Sequence, residues 1–191
     1  DLGKLEKNKK IKSDKYFAAI GHKTERIFVV EGDSASGGLI KCLGRKGNAF
    51  YALKGVPLNV LEVSHQKFSA NKELTELYSI ITTFPEAEIC IATDADADGS
   101  RIRGLVALFI HKYFPEHLTS GKIKILRTPI AIGKKNNEVK EWAYTFADVN
   151  KIDHKLDVSY VKGLGSWSEK DLKCVRKTVL AKEAAATADE D

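Results

Sequence analysis

The stretch with the clearest potential for chemistry is an apolar run, Ile89–Ala92, followed by aspartates at alternating positions, Asp94, Asp96 and Asp98. If the chain stays extended beyond the apolar run, the three aspartate side chains point to the same face. Carboxylates this close repel one another unless a cation lies between them. Oxygen ligands at this density suit a hard divalent ion, and magnesium is the first candidate.

Two other structures can share this spacing of aspartates. The calcium loop of an EF-hand also begins Asp-x-Asp-x-Asp-Gly, but it needs a chelating Glu at its twelfth position, and counting from Asp94 that position is Leu105. A solvated turn with a helix N-cap at Asp98 or Ser100 would account for one of the aspartates but not for all three. The sequence therefore favours a divalent metal site.

A second acidic residue follows another apolar run. Residues 26–30 predict a buried strand that ends at Glu31 and enters a turn rich in Gly and Ser, in which Gly32 permits a positive φ. A Walker-type phosphate loop is excluded, because Gly38 is followed by Leu39 where that loop has Lys. Glu31 instead occupies a strand end, where α/β enzymes place their functional groups.

The elements that must position these acids alternate along the chain. Strands are expected at 26–30, 48–53, 89–92 and 122–127, with helices at 39–43, 71–84 and 100–114 between them. This order predicts an α/β fold with a mostly parallel sheet and helices on both faces. A turn at 134–137 and a strand at 141–146 add a small β-hairpin insertion, and a further strand is expected at 158–162. In such a sheet Glu31 and the aspartates can face one cleft.

Composition limits the class of protein. The 191 residues are 43% hydrophobic and 30% charged, which is typical of one globular domain, and the net charge of +5 is compatible with an acidic partner. No apolar run is long enough to cross a membrane. The three cysteines are far apart and form no CxxC pair, which indicates a reducing compartment and no zinc site. Because the first residue is Asp and Met is absent, we expect a piece of a longer protein.

Three motifs resemble the signatures of the Toprim domain of type IIA DNA topoisomerases, a family that includes gyrase B, topoisomerase IV and eukaryotic topoisomerase II. They are EGDSA at 31–35, TDADADG at 93–99 and KGLG at 162–165. Lys54-Gly55 also matches the family, whereas Val56 stands where many bacterial members have Lys. The stretches at 127–130 and 141–146 look closest to T-even phage topoisomerases.

The resemblance implies a Toprim (Rossmann-like) fold and a role for each matching residue. The acid at Glu31 acts as a general acid/base, or as a metal ligand, beside the ribose 3′ oxygen of DNA. Asp94 and Asp96 hold one or two Mg²⁺ ions, with Asp98 nearby. Basic residues near the DNA backbone are Lys54, Arg101 and Lys162.

It also implies domains and partners. We expect a basic arm at 1–20, the Toprim domain at 21–180 and a frayed acidic tail at 181–191. The partners are double-stranded DNA, a tyrosine-bearing breakage-reunion subunit or domain, and an ATPase domain, in a dimeric or heterotetrameric assembly without a membrane. ATP is used only by a domain absent from this chain. The expected location is inside the cell, on DNA, which is the bacterial host cytoplasm if a phage encodes the protein.

The nucleophile is expected to come from elsewhere, so that the chain alone is inactive. Tyr51, Tyr144 and Tyr160 fall in or beside expected strands, and Tyr78 and Tyr113 fall on apolar helix faces, so all five are interpreted as core residues. Two other functions stay open at this point. One is a primase- or nuclease-type Toprim protein that transfers nucleotides, and the other is a non-catalytic module that docks metal and DNA.

Overall fold

The computed structural model describes residues 11–126, 129–161 and 163. Its main sheet has five strands in the order β1-β3-β2-β4-β5. They are β1 (Tyr16–Phe17), β2 (Arg26–Glu31), β3 (Asn48–Leu53), β4 (Glu88–Ala92) and β5 (Ile123–Leu126). Strands β3, β2, β4 and β5 pair in parallel, and β1 is antiparallel to β3.

Helices connect the parallel strands and cover both faces of the sheet. They are α1 (Asp33–Leu43), α2 (His65–Ala70), α3 (Lys72–Thr83), α4 (Ala97–Tyr113) and α5 (Pro115–Thr119). Because side chains alternate along a strand, Phe28 and Val30 of β2 pack with Leu39 of α1, while Ile27 and Val29 pack with α2, α3 and α4. The predicted mostly parallel sheet with helices on both faces is confirmed.

The tyrosines do not all lie in the core. Tyr51 is fully buried, and the rings of Tyr78 and Tyr113 pack around Phe68 with centroid separations of 6.4 and 4.7 Å. Tyr160, in contrast, is 64% exposed, so its interpretation as a core residue was wrong. Its strand lies at the edge of a small sheet, and all four residues of that strand are exposed. Alternation along a strand cannot reveal whether a face is covered.

The predicted hairpin insertion is part of a separate three-stranded antiparallel sheet, in the order β7-β6-β8. Its strands are β6 (Ala131–Lys135), β7 (Glu138–Ala143) and β8 (Asp157–Tyr160). The turn between β6 and β7 uses Asn136 and Asn137 at φ 52° and 60°, a left-handed conformation that Asn tolerates. Strand β7 ends at Ala143 because Thr145 caps a short helix, α6 (Phe146–Val149), through a capping box.

Residues 11–20, which the sequence analysis assigns to a basic arm, lie against the main sheet. Tyr16 pairs with Tyr51 of β3, and the Ala52 N–H donates to the Lys15 carbonyl at 3.1 Å. Ile20 forms an isolated bridge with Lys46. The domain boundaries at 20 and 180 stay a prediction. Within the described part of the chain, no helix has the length and apolar character that crossing a membrane requires.

Candidate functional site

Two acidic residues meet at the carboxyl edge of the main sheet. Glu31 is the last residue of β2, and Asp94 comes two residues after the end of the neighbouring parallel strand β4. The Asp94 N–H donates a hydrogen bond to Glu31 Oε2 at 3.3 Å. Both side chains are partly buried. The parallel pairing therefore places side by side two acids that are 63 residues apart in the sequence.

The three aspartates do not point to one face of an extended strand, so that sequence expectation was wrong. Strand β4 ends at Ala92 and helix α4 begins at Ala97, because Asp96 caps the helix by accepting a hydrogen bond from the Gly99 N–H at 2.8 Å. The expected caps, Asp98 and Ser100, lie inside the helix instead, and both are exposed. The helix turn, rather than strand alternation, sets the directions of the aspartates.

The electrostatics still join all four acids. Burial raises the pKa of Glu31 above its usual range, and the negative charges of Asp94, Asp96 and Asp98 raise the same pKa further. The hydrogen bond from the Asp94 N–H acts in the opposite direction but is outweighed. A carboxylate with a raised pKa holds a proton more readily, and the same excess of negative charge attracts a cation.

The donor set fits magnesium better than a metal that needs a full protein cage. In residues 11–126, 129–161 and 163, no three His, Cys, Asp or Glu side chains are close enough together to enclose an ion. Mg²⁺, however, keeps several of its waters and commonly takes only one or two protein carboxylates together with phosphate oxygens. Carboxylates at the ends of β2 and β4 that carry mutual repulsion match that requirement.

A residue that the sequence analysis missed supports the loop before α4. Arg103 Nη1 donates to Thr93 Oγ1 at 2.9 Å and to the Asp94 carbonyl at 3.0 Å, and Thr93 is almost fully buried. The available signal was helical spacing. Arg103 comes four residues after Gly99 and so lies on the same side of the helix as its first turn. Arg101, the residue that the sequence analysis chose, is exposed.

Two glycines permit close approach to Asp94. A Cβ at Gly99 would collide with the Asp94 carbonyl oxygen, so the first turn of α4 can pack against this peptide only without a side chain. A Cβ at Gly163, whose φ is +156°, would collide with Asp94 Oδ2. The KGLG motif thus reaches the acidic site through Gly163, while the rest of the motif lies outside the described residues.

Replacing Gly99 by Ala should lower the free energy of unfolding by about 1–3 kcal/mol, because the new methyl group overlaps backbone atoms that cannot move freely. Gly104 in the same helix has open space around it, so Gly104→Ala should raise stability by about 0.5–1 kcal/mol through helix propensity. Urea unfolding followed by circular dichroism measures both variants. Two changes of the same sign would contradict the packing described for Gly99.

The candidate DNA-binding residues have different positions. Lys54 immediately follows β3 and is exposed, and Arg101 is exposed on the second turn of α4. Neither side chain has a hydrogen bond or ion pair with another described residue. Lys162 lies outside the described residues. The site roles of these residues stay predictions.

Comparisons with known proteins agree on one family. Residues 26–128, just over half of the chain, match the Toprim domain. The chain is 31% identical over 157 residues to the B polypeptide of DNA topoisomerase 4 from Borreliella burgdorferi. It is 34% identical over 167 residues to the B polypeptide of DNA gyrase from Streptococcus pneumoniae, and 32% identical over 173 residues to DNA topoisomerase 2 of Drosophila melanogaster. The expected likeness to T-even phage topoisomerases stays a prediction.

The chain spans only part of these relatives. The alignments cover 77%, 76% and 77% of this chain, but 26%, 26% and 12% of the respective relatives. The fold is similar to that of a Plasmodium falciparum topoisomerase II DNA-binding, cleavage and re-ligation domain, with a TM-score of 0.77 at 24% identity. That likeness covers 90% of this chain and 27% of the other.

Proposed function

Because this chain belongs to the Toprim domain family, we propose that it is the Mg²⁺-binding portion of a type IIA DNA topoisomerase. In that assembly it assists tyrosine-mediated cleavage and religation of double-stranded DNA for strand passage. The observation that carries the proposal is the hydrogen bond between Asp94 and Glu31, which joins the EGDSA and TDADADG motifs at one sheet edge. The relatives named above are topoisomerases, which favours this function over the primase or nuclease alternative.

The metal-holding residues are Asp94 and Asp96, with Glu31 as a further ligand and Asp98 nearby. A bound Mg²⁺ ion supplies stabilisation of the negative charge that develops on the ribose 3′ oxygen as the phosphodiester bond breaks. Asp96 keeps one oxygen on the Gly99 N–H, so its second oxygen remains for a cation. Asp94 is held from behind by Arg103 through its carbonyl group, which leaves its carboxylate on the side of the cleft.

Glu31 is the residue suited to proton transfer. Its raised pKa favours the protonated carboxyl group, which can give its proton to the departing 3′ oxygen and take it back when the strand is rejoined. The Asp94 N–H fixes the other end of the interaction by holding Oε2 in place. Cleavage and religation are the same proton transfer in opposite directions, so one group serves both.

The remaining parts of the reaction come from partners. The proposed partners are double-stranded DNA, a tyrosine-bearing breakage-reunion subunit or domain, and an ATPase domain, in a dimeric or heterotetrameric assembly located on DNA inside the cell. Lys54, Arg101 and Lys162 contact the DNA backbone. With a net charge of +5 the chain alone should bind duplex DNA weakly, with affinity that falls steeply as salt is added.

The purified chain should be silent in a DNA cleavage assay, and it should become active when mixed with a tyrosine-bearing subunit. The expected product is Mg²⁺-dependent cleavage that leaves protein covalently attached to DNA 5′ ends, seen as slowly migrating complexes in denaturing gels. The structural reason is that the acids can polarise a phosphate, but in-line attack needs a nucleophile that is delivered from outside.

The exposed Tyr160 provides the control for this experiment. Tyr160→Phe should leave the covalent product unchanged, because the attacking tyrosine belongs to the partner. If the chain alone nicks DNA, the nuclease function replaces the topoisomerase function. If it extends an RNA primer from nucleoside triphosphates, the primase function does so. A mixture that binds DNA and Mg²⁺ but never cleaves would support a non-catalytic docking module.

A further inference from the structure

The main chain at Lys54 is fixed by an acid from another element. The Lys54 N–H donates to Glu73 Oε1 at 2.6 Å, so the first residue after β3 is attached to the first turn of α3, 19 residues later. A hydrogen bond this short to a carboxylate belongs to the stronger, charge-assisted class. The Glu73 side chain is only 18% exposed.

Glu73 is in turn held on several sides. Its Oε1 also accepts from Lys15 Nζ at 3.0 Å. The buried Tyr51 hydroxyl lies 3.0 Å from the Glu73 carbonyl oxygen and 2.9 Å from Glu76 Oε2. Burial, and then the hydrogen bond with Glu76, raise the pKa of Tyr51, so the phenol keeps its proton and remains a donor. The acid that holds Lys54 therefore cannot move away from it easily.

The attachment matters because regular structure ends at this point. Residues 54–64 belong to no helix or strand, and Gly55 follows directly. The next side-chain attachment of this segment to the fold is from Lys112 Nζ to the Val60 carbonyl at 2.6 Å. Glu73 thus fixes the origin of the exposed Lys54 side chain, and Lys112 fixes the middle of the segment.

We propose that Glu73 is a positioning residue for DNA binding, because its carboxylate oxygen holds the Lys54 main chain where the lysine side chain can reach a phosphate. This inference depends on the proposed contact of Lys54 with the DNA backbone. It has an unusual consequence. Removing a negative charge normally strengthens DNA binding, whereas removing the hydrogen-bond acceptor of Glu73 should weaken it.

Two variants of Glu73 separate charge from position. Glu73→Gln removes the charge but keeps an oxygen that can accept the Lys54 N–H, whereas Glu73→Ala removes both. Binding of the chain to a fluorescent duplex is measured by anisotropy over a range of salt concentrations. Glu73→Gln should bind as tightly as the unchanged chain or more tightly. Glu73→Ala should bind about two- to fivefold more weakly, and the slope of log affinity against log salt should shrink by up to about 1.

The Lys54→Ala background completes the test. Lys54→Ala itself should weaken binding and reduce the salt slope by about 1, and adding Glu73→Ala should then have no further effect. Lys112→Met, which breaks the other attachment of the segment, serves as the control and should leave the salt slope unchanged. Hydrogen exchange at the Lys54 amide, fast in Glu73→Ala and slow in Glu73→Gln, reports the attachment directly.

The outcomes that overturn the inference are distinct from those that overturn the function. If Lys54→Ala changes nothing, the proposed phosphate contact of Lys54 is wrong, and the role of Glu73 is lost with it. If Lys54→Ala weakens binding but the two Glu73 variants behave alike, only the positioning role is wrong. The same conclusion holds if Glu73→Ala weakens binding equally with and without Lys54.

Discussion

Replacing Asp94 or Asp96 by Asn should lower Mg²⁺-dependent DNA cleavage by the assembled enzyme by about 10²–10³-fold at limiting Mg²⁺. Each change removes one of the carboxylates that would hold the ion. Asn is the informative substitution at position 96, because it keeps the side-chain oxygen that accepts from the Gly99 N–H and so preserves the cap of α4. Asp96→Ala would also remove the cap, which costs about 1 kcal/mol, and would confuse the two effects.

Asp98→Asn is the matched control for this experiment. Asp98 carries the same charge and lies two residues further on, but it is exposed inside the first turn of α4, so its loss should have a smaller effect. Cleavage is measured with the tyrosine-bearing subunit over a titration of Mg²⁺, and metal affinity is measured separately by calorimetry on the chain alone. Normal cleavage by the Asp94 and Asp96 variants at limiting Mg²⁺ would remove both residues from the metal site.

Replacing Glu31 by Gln should reduce cleavage and religation by about 10²–10⁴-fold while leaving DNA binding intact or tighter. Gln has the same shape and can still accept the hydrogen bond from the Asp94 N–H, but it cannot exchange a proton. Removing a negative charge beside the phosphate also reduces repulsion. Single-turnover cleavage and duplex binding are measured on the same preparation. An equal loss of binding and chemistry would indicate a structural carboxylate instead.

The same variant has a second consequence for the metal-free chain. The pKa of Glu31 is raised in the folded state, so at neutral pH ionised Glu31 destabilises the fold, and stability falls as the pH rises through the window between its ordinary and its raised pKa. Glu31→Gln removes this cost and should melt at a higher temperature than the unchanged chain at neutral pH. In acid, where Glu31 is protonated in both the folded and unfolded states, the advantage should disappear. Thermal melts in the presence of a chelator measure it.

Most of the fold could be predicted from residue patterns. Apolar runs of four to six residues marked β2, β3 and β4, and helical spacing of Leu74, Leu77 and Ile81 marked the buried face of α3. These patterns are local, because burial on one side of an element imposes a period on its own residues. The order of elements then limited the sheet to a parallel arrangement. The three motifs identified the family before any geometry was considered.

Errors arose where a pattern did not include its neighbours. The aspartates were expected to alternate along a strand, but a helix begins among them and takes Asp96 as its cap. Arg103 was overlooked because its partners, Thr93 and the Asp94 carbonyl, become neighbours only when α4 turns back toward β4. Tyr160 was placed in the core because nothing in its own strand shows that β8 lies exposed at a sheet edge.

By itself, the sequence determined the identities of the acids, their positions at strand ends and the family to which they belong. Tertiary structure decided which of them meet. The distance between Glu31 and Asp94 depends on β2 and β4 being neighbours in register, and the attachment of Lys54 depends on Glu73 from a different layer of the fold. The physical reason is that periodicity records whether a side chain is buried, whereas hydrogen bonds and charge interactions depend on which groups the packing of distant segments brings within about 3 Å.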